Sequence, residues 1–260
     1  MENIKEKTIA LLIDADNVKA DLIKNILAEA GKYGKVSIRR IYGNWTDSRL
    51  GGWKTQINTF ALRPIQKFSI AKGKNSTDTA MIIDAMDILY SKNVSGFCIA
   101  SSDSDYTGLA QRIREDGIFV LGIGEANITS EAFVNACDSF VFTENLNSFN
   151  EEKVEKKIEE VLPKSQKKSV KIDLPINKIT NTPIDVNNIL KAFDMVVGDN
   201  GLAYMGEIGA ALRKLDPSFD CRTYSSASMT NLFKRLPNIF DLVYSEDGSS
   251  LFLKLNNPRA

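Results

Sequence analysis

The sequence contains no histidine in its 260 residues. This absence excludes the serine–histidine–aspartate and cysteine–histidine arrangements that activate a nucleophile. It also excludes zinc sites ligated by histidine and the paired acid–base histidines of some ribonucleases. An enzyme built from this chain must therefore move protons with carboxylates, with lysine or with a water molecule held by a metal ion.

Cysteine is scarce, and long apolar runs are missing. The three cysteines, Cys98, Cys137 and Cys221, are far apart in the sequence and lack the spacing of a metal site, so we expect buried free thiols. No apolar run reaches the ~20 residues that span a bilayer, and the charged N-terminus does not resemble a signal peptide. These features predict a cytoplasmic protein without a membrane partner.

Positive charge is concentrated in one part of the chain, although the net charge is zero. Residues 32–74 hold ten basic residues and a single acidic one, Asp47. Such a block suggests a polyanionic partner beside an acidic centre. A solvated face of a helix and two strand ends would give the same pattern. The ten are Lys32, Lys35, Arg39, Arg40, Arg49, Lys54, Arg63, Lys67, Lys72 and Lys74.

Strand and helix patterns alternate through the first 145 residues. Short apolar runs predict strands at 8–13, 36–42, 65–70, 97–100, 118–123 and 140–142. Amphipathic spacing predicts helices at 18–30, 53–60, 77–90 and 106–115. Repeated strand–helix–strand units favour a mainly parallel sheet with helices on both faces. We therefore predict an α/β domain at 1–147.

The sequence after residue 147 has a different character. Residues 148–183 are rich in charge and contain three prolines, which predicts a linker. Helices are predicted at 189–197, 204–215 and 228–236, and strands at 240–244 and 251–255 around a hairpin turn. Three helices followed by a hairpin are typical of a winged helix, so residues 184–260 are predicted to form a second, small domain.

Aspartates directly follow two of the predicted strands. Asp14 and Asp16 follow the strand at 8–13, and Asp103 and Asp105 follow the strand at 97–100. The carboxyl ends of parallel strands meet at one edge of a sheet, so these side chains should lie close together. Carboxylates this close repel one another, and a cation would offset that repulsion. An oxygen-rich site without histidine or cysteine suits Mg²⁺ or Mn²⁺.

A further acidic position lies at the start of a predicted helix. Asp78 is in the first turn of the helix at 77–90 and heads its apolar stripe, whereas Asp84 and Asp87 project to the polar face and are expected in solvent. Asp78 could simply stabilise the helix dipole, and the two aspartates near 104 could cap the following helix. The candidate metal ligands and catalytic residues are Asp14, Asp78, Asp103 and Asp105.

These acids predict hydrolysis of a phosphodiester by a metal-activated water. Lys72 and Lys74 could hold the flanking phosphates. Tyr42 and Trp45 could stack nucleobases, or they could be ordinary core or rim aromatics. The remaining candidates for substrate contact are Asn17, Arg49, Ser101 and Ser102.

The first 145 residues resemble the NYN domain, a branch of the PIN-like nucleases. The resemblance spans roughly residues 7–143 and rests on LLIDADN at 11–17, YGNW at 42–45, KGKNSTDTA at 72–80 with Asp84-Ala85, and SSDSDY at 101–106. It implies a three-layer α/β/α sandwich and a Mg²⁺- or Mn²⁺-dependent ribonuclease. The positions that match the family's acidic residues and its asparagine are Asp14, Asp78, Asp103, Asp105 and Asn17. Asn44 departs from a carboxylate that the family often has near that position.

The last ~75 residues resemble an OST-HTH, or LOTUS, domain. The resemblance rests on NGLAYMGEIG at 200–209, LFKRLP at 232–237 and the predicted hairpin. It implies RNA binding, sometimes of guanine-rich structures, or docking of a helicase, so a protein partner is a second expectation. The segment 184–260 holds eight basic and nine acidic residues, which is not the charge of a strong nucleic-acid binder.

A homodimer is a further expectation for partners, and two alternatives to the nuclease stay open. Asp14-Ala15-Asp16 fits the Asp-x-Asp of haloacid-dehalogenase-type phosphatases, in which Asp14 would be the nucleophile and Asp16 the acid–base. Asn17-Val18 replaces the Gly-Thr that normally follows in that family. The other alternative is a non-catalytic adaptor that binds RNA. The presence of all four aspartates favours the nuclease.

Overall fold

The computed structural model describes residues 6–66, 76–146, 183–245 and 247–256. The chain divides into two compact units, Met1–Leu146 and Asn147–Ala260. The predicted linker lies almost entirely outside the described residues, and so do Lys72 and Lys74.

Six parallel strands form the sheet of the first unit. They are β1 (Thr8–Asp14), β2 (Lys35–Gly43), β3 (Arg63–Gln66), β4 (Gly96–Ala100), β5 (Phe119–Gly124) and β6 (Ser139–Phe142). Their order across the sheet is β3-β2-β1-β4-β5-β6. β1 is buried except at its first residue, as expected of a central strand covered on both faces. The strand order reverses between β1 and β4, so the crevice at their carboxyl ends is where a ligand is expected.

Helices cover both faces of this sheet. They are α1 (Ile23–Ala30), α2 (Trp53–Thr59), α3 (Ser76–Ser91), α4 (Thr107–Glu115) and α5 (Glu131–Ala136), with 3-10 turns at Ala20–Leu22, Ser48–Gly52 and Ser104–Tyr106. Alternate residues of β4 face opposite halves of the core. Phe97 and Ile99 pack with α3, α4 and α5, whereas Cys98 and Ala100 pack with α1 and α2. The predicted three-layer α/β/α sandwich is therefore confirmed.

The second unit combines helices with a three-stranded antiparallel sheet. The elements are α6 (Val186–Val196), β7 (Leu202–Tyr204), α7 (Met205–Leu215), a 3-10 turn (Cys221–Tyr224), α8 (Met229–Phe233), β8 (Phe240–Tyr244) and β9 (Leu251–Leu255). The strand order is β7-β9-β8. The core of this unit includes the side chains of Phe193, Ile208, Phe233 and Leu253. The predicted helices and hairpin are confirmed.

Some boundaries differ from the prediction. The first helix begins at Ile23, after a 3-10 turn, and the strand predicted at 65–70 runs over Arg63–Gln66, with 67–70 outside the described residues. Cys98 and Cys137 are buried free thiols as predicted, whereas Cys221 is half-buried. No helix within the described ranges is long and apolar enough to cross a bilayer.

Candidate metal centre

Asp14 stands at the carboxyl end of β1 and is almost fully buried (1% exposed). Its Oδ1 accepts a hydrogen bond from the Asp16 backbone N–H at 3.1 Å. Its Oδ2 accepts from Asn17 Nδ2 at 2.6 Å and from Ser101 Oγ at 3.1 Å. Burial raises the pKa of Asp14 to about 6, hydrogen bonds from Asn17 and Asp16 oppose that rise, and the charge of Asp78 adds to it. A nearby cation would stabilise the ionised form of such a buried carboxyl.

The loop that follows β4 is folded by its own serines and aspartates. Ser101 Oγ accepts a hydrogen bond from the Asp103 N–H at 3.1 Å, and Asp103 Oδ1 accepts from the Asp105 N–H at 2.9 Å. Ser102 Oγ accepts from the Glu125 N–H at 2.8 Å, which ties this loop to the end of β5. The bond from Ser101 to Asp14 completes the connection, so the loop is fixed beside the end of β1.

Asp78, Asp103 and Asp105 form a cluster of carboxylates. One oxygen from each lies within 4.8 Å of those of the other two. Opposite ligands of one Mg²⁺ ion are about 4.2 Å apart, so small side-chain rotations or a shared water would allow a common ion. The pKa of Asp78 is raised by its burial first and also by the charges of Asp103 and Asp105. The cluster therefore carries the repulsion that a cation would relieve.

Tyr106 joins this cluster to Asp14, and the sequence analysis did not identify it. It is fully buried, and its Oη donates to Asp78 Oδ1 at 2.8 Å and lies 3.4 Å from Asp14 Oδ2. Burial and the charges of Asp14 and Asp78 raise the pKa of Tyr106 well above its usual range, so the hydroxyl remains a donor. The available signal was its position directly after the aspartate-rich loop.

The donors present fit a hard divalent cation. Asp14, Asp78, Asp103 and Asp105 offer carboxylate oxygens, the ligands that Mg²⁺ and Mn²⁺ prefer. The aspartates predicted to lie together at the carboxyl ends of the strands are thus connected, three of them directly and Asp14 through other side chains. Asp78, Asp103 and Asp105 converge directly, and Asp14 is connected to them through Tyr106 and Ser101.

Three of the predicted substrate residues have hydrogen bonds inside the site. Asn17 and Ser101 donate to Asp14, and Ser102 accepts from the loop after β5. These bonds give each side chain a role in orienting the acids or their loop. A contact with RNA stays a prediction for all three.

The predicted aromatic and arginine contacts lie in the β2–α2 region. Trp45 is half-buried, and its Nε1 donates to the Ile65 carbonyl at 3.1 Å. Arg49 is exposed, and its guanidinium donates to Asp47. Tyr42 is fully buried. It is therefore a core aromatic and cannot stack a base.

Asp84 was predicted to project into solvent, and that prediction is wrong. It is half-buried, forms an ion pair with Arg40 and accepts a hydrogen bond from the Tyr42 hydroxyl. Asp87, one turn further along α3, is exposed as predicted. The helical wheel placed both acids away from the apolar stripe, but β2 supplies polar partners on the side where Asp84 lies.

Asn44, where the resemblance suggests a carboxylate, organises its own loop. Its Oδ1 accepts from the Thr46 N–H at 3.3 Å, from Thr46 Oγ1 at 2.7 Å and from Gln66 Nε2 at 2.9 Å. An amide oxygen satisfies these donors without adding another negative charge near the acidic edge.

The fold and the acidic edge define an α/β domain of the PIN-like type. The family model of the NYN domain matches residues 8–147, more than half of the chain, so the chain belongs to the NYN domain family. The OST-HTH/LOTUS domain model matches residues 184–252. The predicted order of the two domains along the chain is thereby confirmed.

Similar proteins exist in several organisms. An uncharacterized protein of Methanocaldococcus jannaschii is 27% identical over 160 residues, which are 58% of this chain and 62% of that protein. The chain thus spans about six-tenths of that relative. A crystal structure of a protein of unknown function from Vibrio parahaemolyticus has 21% identity and a TM-score of 0.47, covering 55% of this chain and 96% of the other. A solution structure of an uncharacterized Nitrosomonas europaea protein has 25% identity and a TM-score of 0.28, covering 38% and 95%.

Proposed function

We propose that the NYN domain is a divalent-metal-dependent endoribonuclease and that the LOTUS domain binds RNA. The observation that carries the proposal is the convergence of Asp78, Asp103 and Asp105 within 4.8 Å, with Asp14 linked to them. Asp78, Asp103 and Asp105 would hold Mg²⁺ or Mn²⁺, and Asp14 would complete the site. The cation would lower the pKa of a water and offset charge on the phosphate.

The side chains around the acids keep the site ready for a cation. Asn17 and Ser101 donate to Asp14 Oδ2, and the Asp16 N–H donates to Oδ1, which keeps a second lone pair for metal or water. The Asp105 N–H donates to Asp103 Oδ1, which leaves Oδ2 for the cation. Hydrogen bonds to carboxylate oxygens are how proteins commonly orient metal-binding aspartates.

The basic block supports a polyanionic substrate less strongly than its sequence suggests. Acids from outside residues 32–74 pair with part of it: Glu29 with Lys32, Glu6 with Lys35, and Asp84 with Arg40. Arg49 pairs with Asp47 inside the block. Lys72 and Lys74, which directly precede α3 and Asp78 in the chain, are the block's best candidates for phosphate contact.

The phosphatase alternative lacks support in the surroundings of its two aspartates. Asp14, its nucleophile, is 1% exposed and accepts several hydrogen bonds, while Asp16, its acid–base, is exposed. The adaptor alternative differs from the nuclease only in turnover, so an activity assay separates them.

One assay distinguishes the nuclease, the phosphatase and the adaptor. The protein is incubated with labelled RNA, labelled DNA or nitrophenyl phosphate, each in the presence of Mg²⁺, Mn²⁺ or a chelator. We expect internal cleavage of RNA that depends on either metal, no release of nitrophenol, and a higher melting temperature with metal. Metal at a hundred times its Kd stabilises a folded protein by about 2.7 kcal/mol. RNA left intact together with unchanged melting in millimolar Mn²⁺ would favour the adaptor. Nitrophenol release that Asp14→Asn abolishes would favour the phosphatase.

Lys72→Ala combined with Lys74→Ala is expected to weaken RNA binding and to flatten its salt dependence. Two lost contacts with single-stranded phosphates reduce the slope of log K against log salt by about 1.4. Binding is measured in the Asp103→Asn background, so that the RNA stays intact. The matched control combines Lys7→Ala with Lys35→Ala. These exposed lysines lie at the amino ends of β1 and β2, whereas the acidic cluster lies at the carboxyl ends of the strands. If the Lys72→Ala, Lys74→Ala variant keeps the wild-type slope of log K against log salt, the RNA does not contact these two lysines.

A further inference from the structure

Tyr106 reaches the acidic cluster from inside the protein. It ends the 3-10 turn before α4, and its ring is wholly buried in the core, 6.5 Å from the ring of Phe133 between centroids. Its hydroxyl is the polar end of an otherwise apolar side chain. That hydroxyl lies 2.8 Å from Asp78 Oδ1 and 3.4 Å from Asp14 Oδ2.

The hydroxyl has one proton and two carboxylates within reach. The distance to Asp78 is that of a full hydrogen bond, whereas the distance to Asp14 is at the long limit. Asp14 Oδ2 also accepts from Asn17 and Ser101. The Tyr106 hydroxyl therefore donates its proton mainly to Asp78 Oδ1, while Asp14 Oδ2 lies near the same hydroxyl oxygen.

Asp14 and Asp78 come from different elements, the end of β1 and the start of α3. The backbone alone does not fix the rotation of one carboxylate relative to the other. We propose that Tyr106 is a positioning residue for the metal centre: its hydroxyl holds Asp78 Oδ1 and turns Oδ2 toward the cation, aligned with Asp14. This inference rests on the proposed metal-dependent function.

The consequence is a contribution to metal affinity from a residue that does not touch the metal. Groups that hydrogen-bond to metal ligands typically change metal affinity by 10–100-fold when they are removed. Phenylalanine keeps the ring that packs near Phe133 and removes only the donor. Without that donor, the Asp78 carboxylate loses one of the hydrogen bonds that orient it, and ordering it again opposes binding of the cation.

The test measures Mn²⁺ binding to the full chain by titration calorimetry, without RNA. Tyr106→Phe is expected to raise the Kd for Mn²⁺ about tenfold or more. The matched control is Tyr33→Phe, which removes a hydroxyl that lies 3.1 Å from Ser139 Oγ and whose ring stacks on Phe119. Tyr33 is outside the acidic cluster, so its variant should bind Mn²⁺ as the wild type does.

The outcomes separate the two proposals. A wild-type protein that binds no Mn²⁺ overturns the metal-dependent function and the role of Tyr106 with it. A wild-type protein that binds Mn²⁺, with a Tyr106→Phe variant of equal affinity, overturns the positioning role alone. A cooperative metal-free melt of Tyr106→Phe establishes that the variant is folded.

A second measurement needs only the wild-type protein. A cation bound to Asp78 withdraws negative charge from the carboxylate and so weakens the hydrogen bond that Asp78 accepts from Tyr106. We therefore expect Mg²⁺ to shift a tyrosine band in the ultraviolet difference spectrum, in proportion to the bound metal. Binding of Mg²⁺ that perturbs no tyrosine contradicts the positioning role, even if Tyr106→Phe fails to fold.

Discussion

Asp103→Asn is expected to cleave RNA about a thousandfold more slowly than the wild-type protein, while it still binds RNA. The change removes one of the three converging carboxylates but keeps the side-chain oxygen that accepts from the Asp105 N–H, so the loop can retain its shape. Loss of a charged ligand costs several kcal/mol of transition-state stabilisation, and each ~1.4 kcal/mol is tenfold in rate. The rate constant at saturating RNA and at the same metal concentration is the quantity to compare.

Asp87→Asn is the matched control for this prediction. It makes the same change of charge on an exposed residue of α3, away from the acidic edge. The control should cleave RNA and respond to metal as the wild type does, while Asp103→Asn should lose the metal-induced rise in melting temperature. If Asp103→Asn and the wild type cleave RNA at equal rates, the carboxylate cluster takes no part in cleavage.

The centre of the sheet was predictable because β1, β4 and β5 are buried on both faces. Continuous apolar runs such as those of β1 and β4 are the pattern of central parallel strands, and α1 and α4 each have one apolar and one polar face. The elements that escaped prediction are short. α5 has six residues and β7 has three, too few to establish a period, and their existence depends on what they pack against.

The acids were predictable from topology, but their neighbours were not. The rule that carboxyl ends of parallel strands meet at one edge identified Asp14 and Asp103, and helix geometry added Asp78. The helical wheel could not identify the partners of Asp84, because Arg40 and Tyr42 come from a strand rather than from the same helix. Tyr106 was missed for a related reason. A buried aromatic at a helix start gives no sign in the sequence of where its hydroxyl points.

Asp84→Ala is expected to lower the free energy of unfolding of the first unit by about 2 kcal/mol. The change leaves the Arg40 guanidinium without its ion-pair partner and the Tyr42 hydroxyl without its acceptor. Removing one partner of a fully buried ion pair costs about 3–5 kcal/mol. The side chains of Arg40 and Asp84 are 21% and 23% exposed, so water compensates for part of that loss.

The first unit can be followed separately within the full chain. Both tryptophans of the sequence, Trp45 and Trp53, belong to it, so tryptophan fluorescence during urea unfolding reports on that unit. The free energy of unfolding of Asp84→Asn should lie between those of the wild type and Asp84→Ala. An amide oxygen still accepts a hydrogen bond from Tyr42 but does not neutralise the charge of Arg40. Asp87→Ala, the exposed control on the same helix, should stay within about 0.5 kcal/mol of wild type.

The same ion pair attaches α3 to β2, and α3 carries Asp78 in its first turn. If Asp84→Ala unfolds at the same urea concentration as Asp87→Ala, the pair contributes nothing to stability, and packing by residues such as Met81 and Ala85 alone must hold the helix. If instead the loss is near 2 kcal/mol, a polar contact outside the acidic cluster helps to fix the helix on which Asp78 depends.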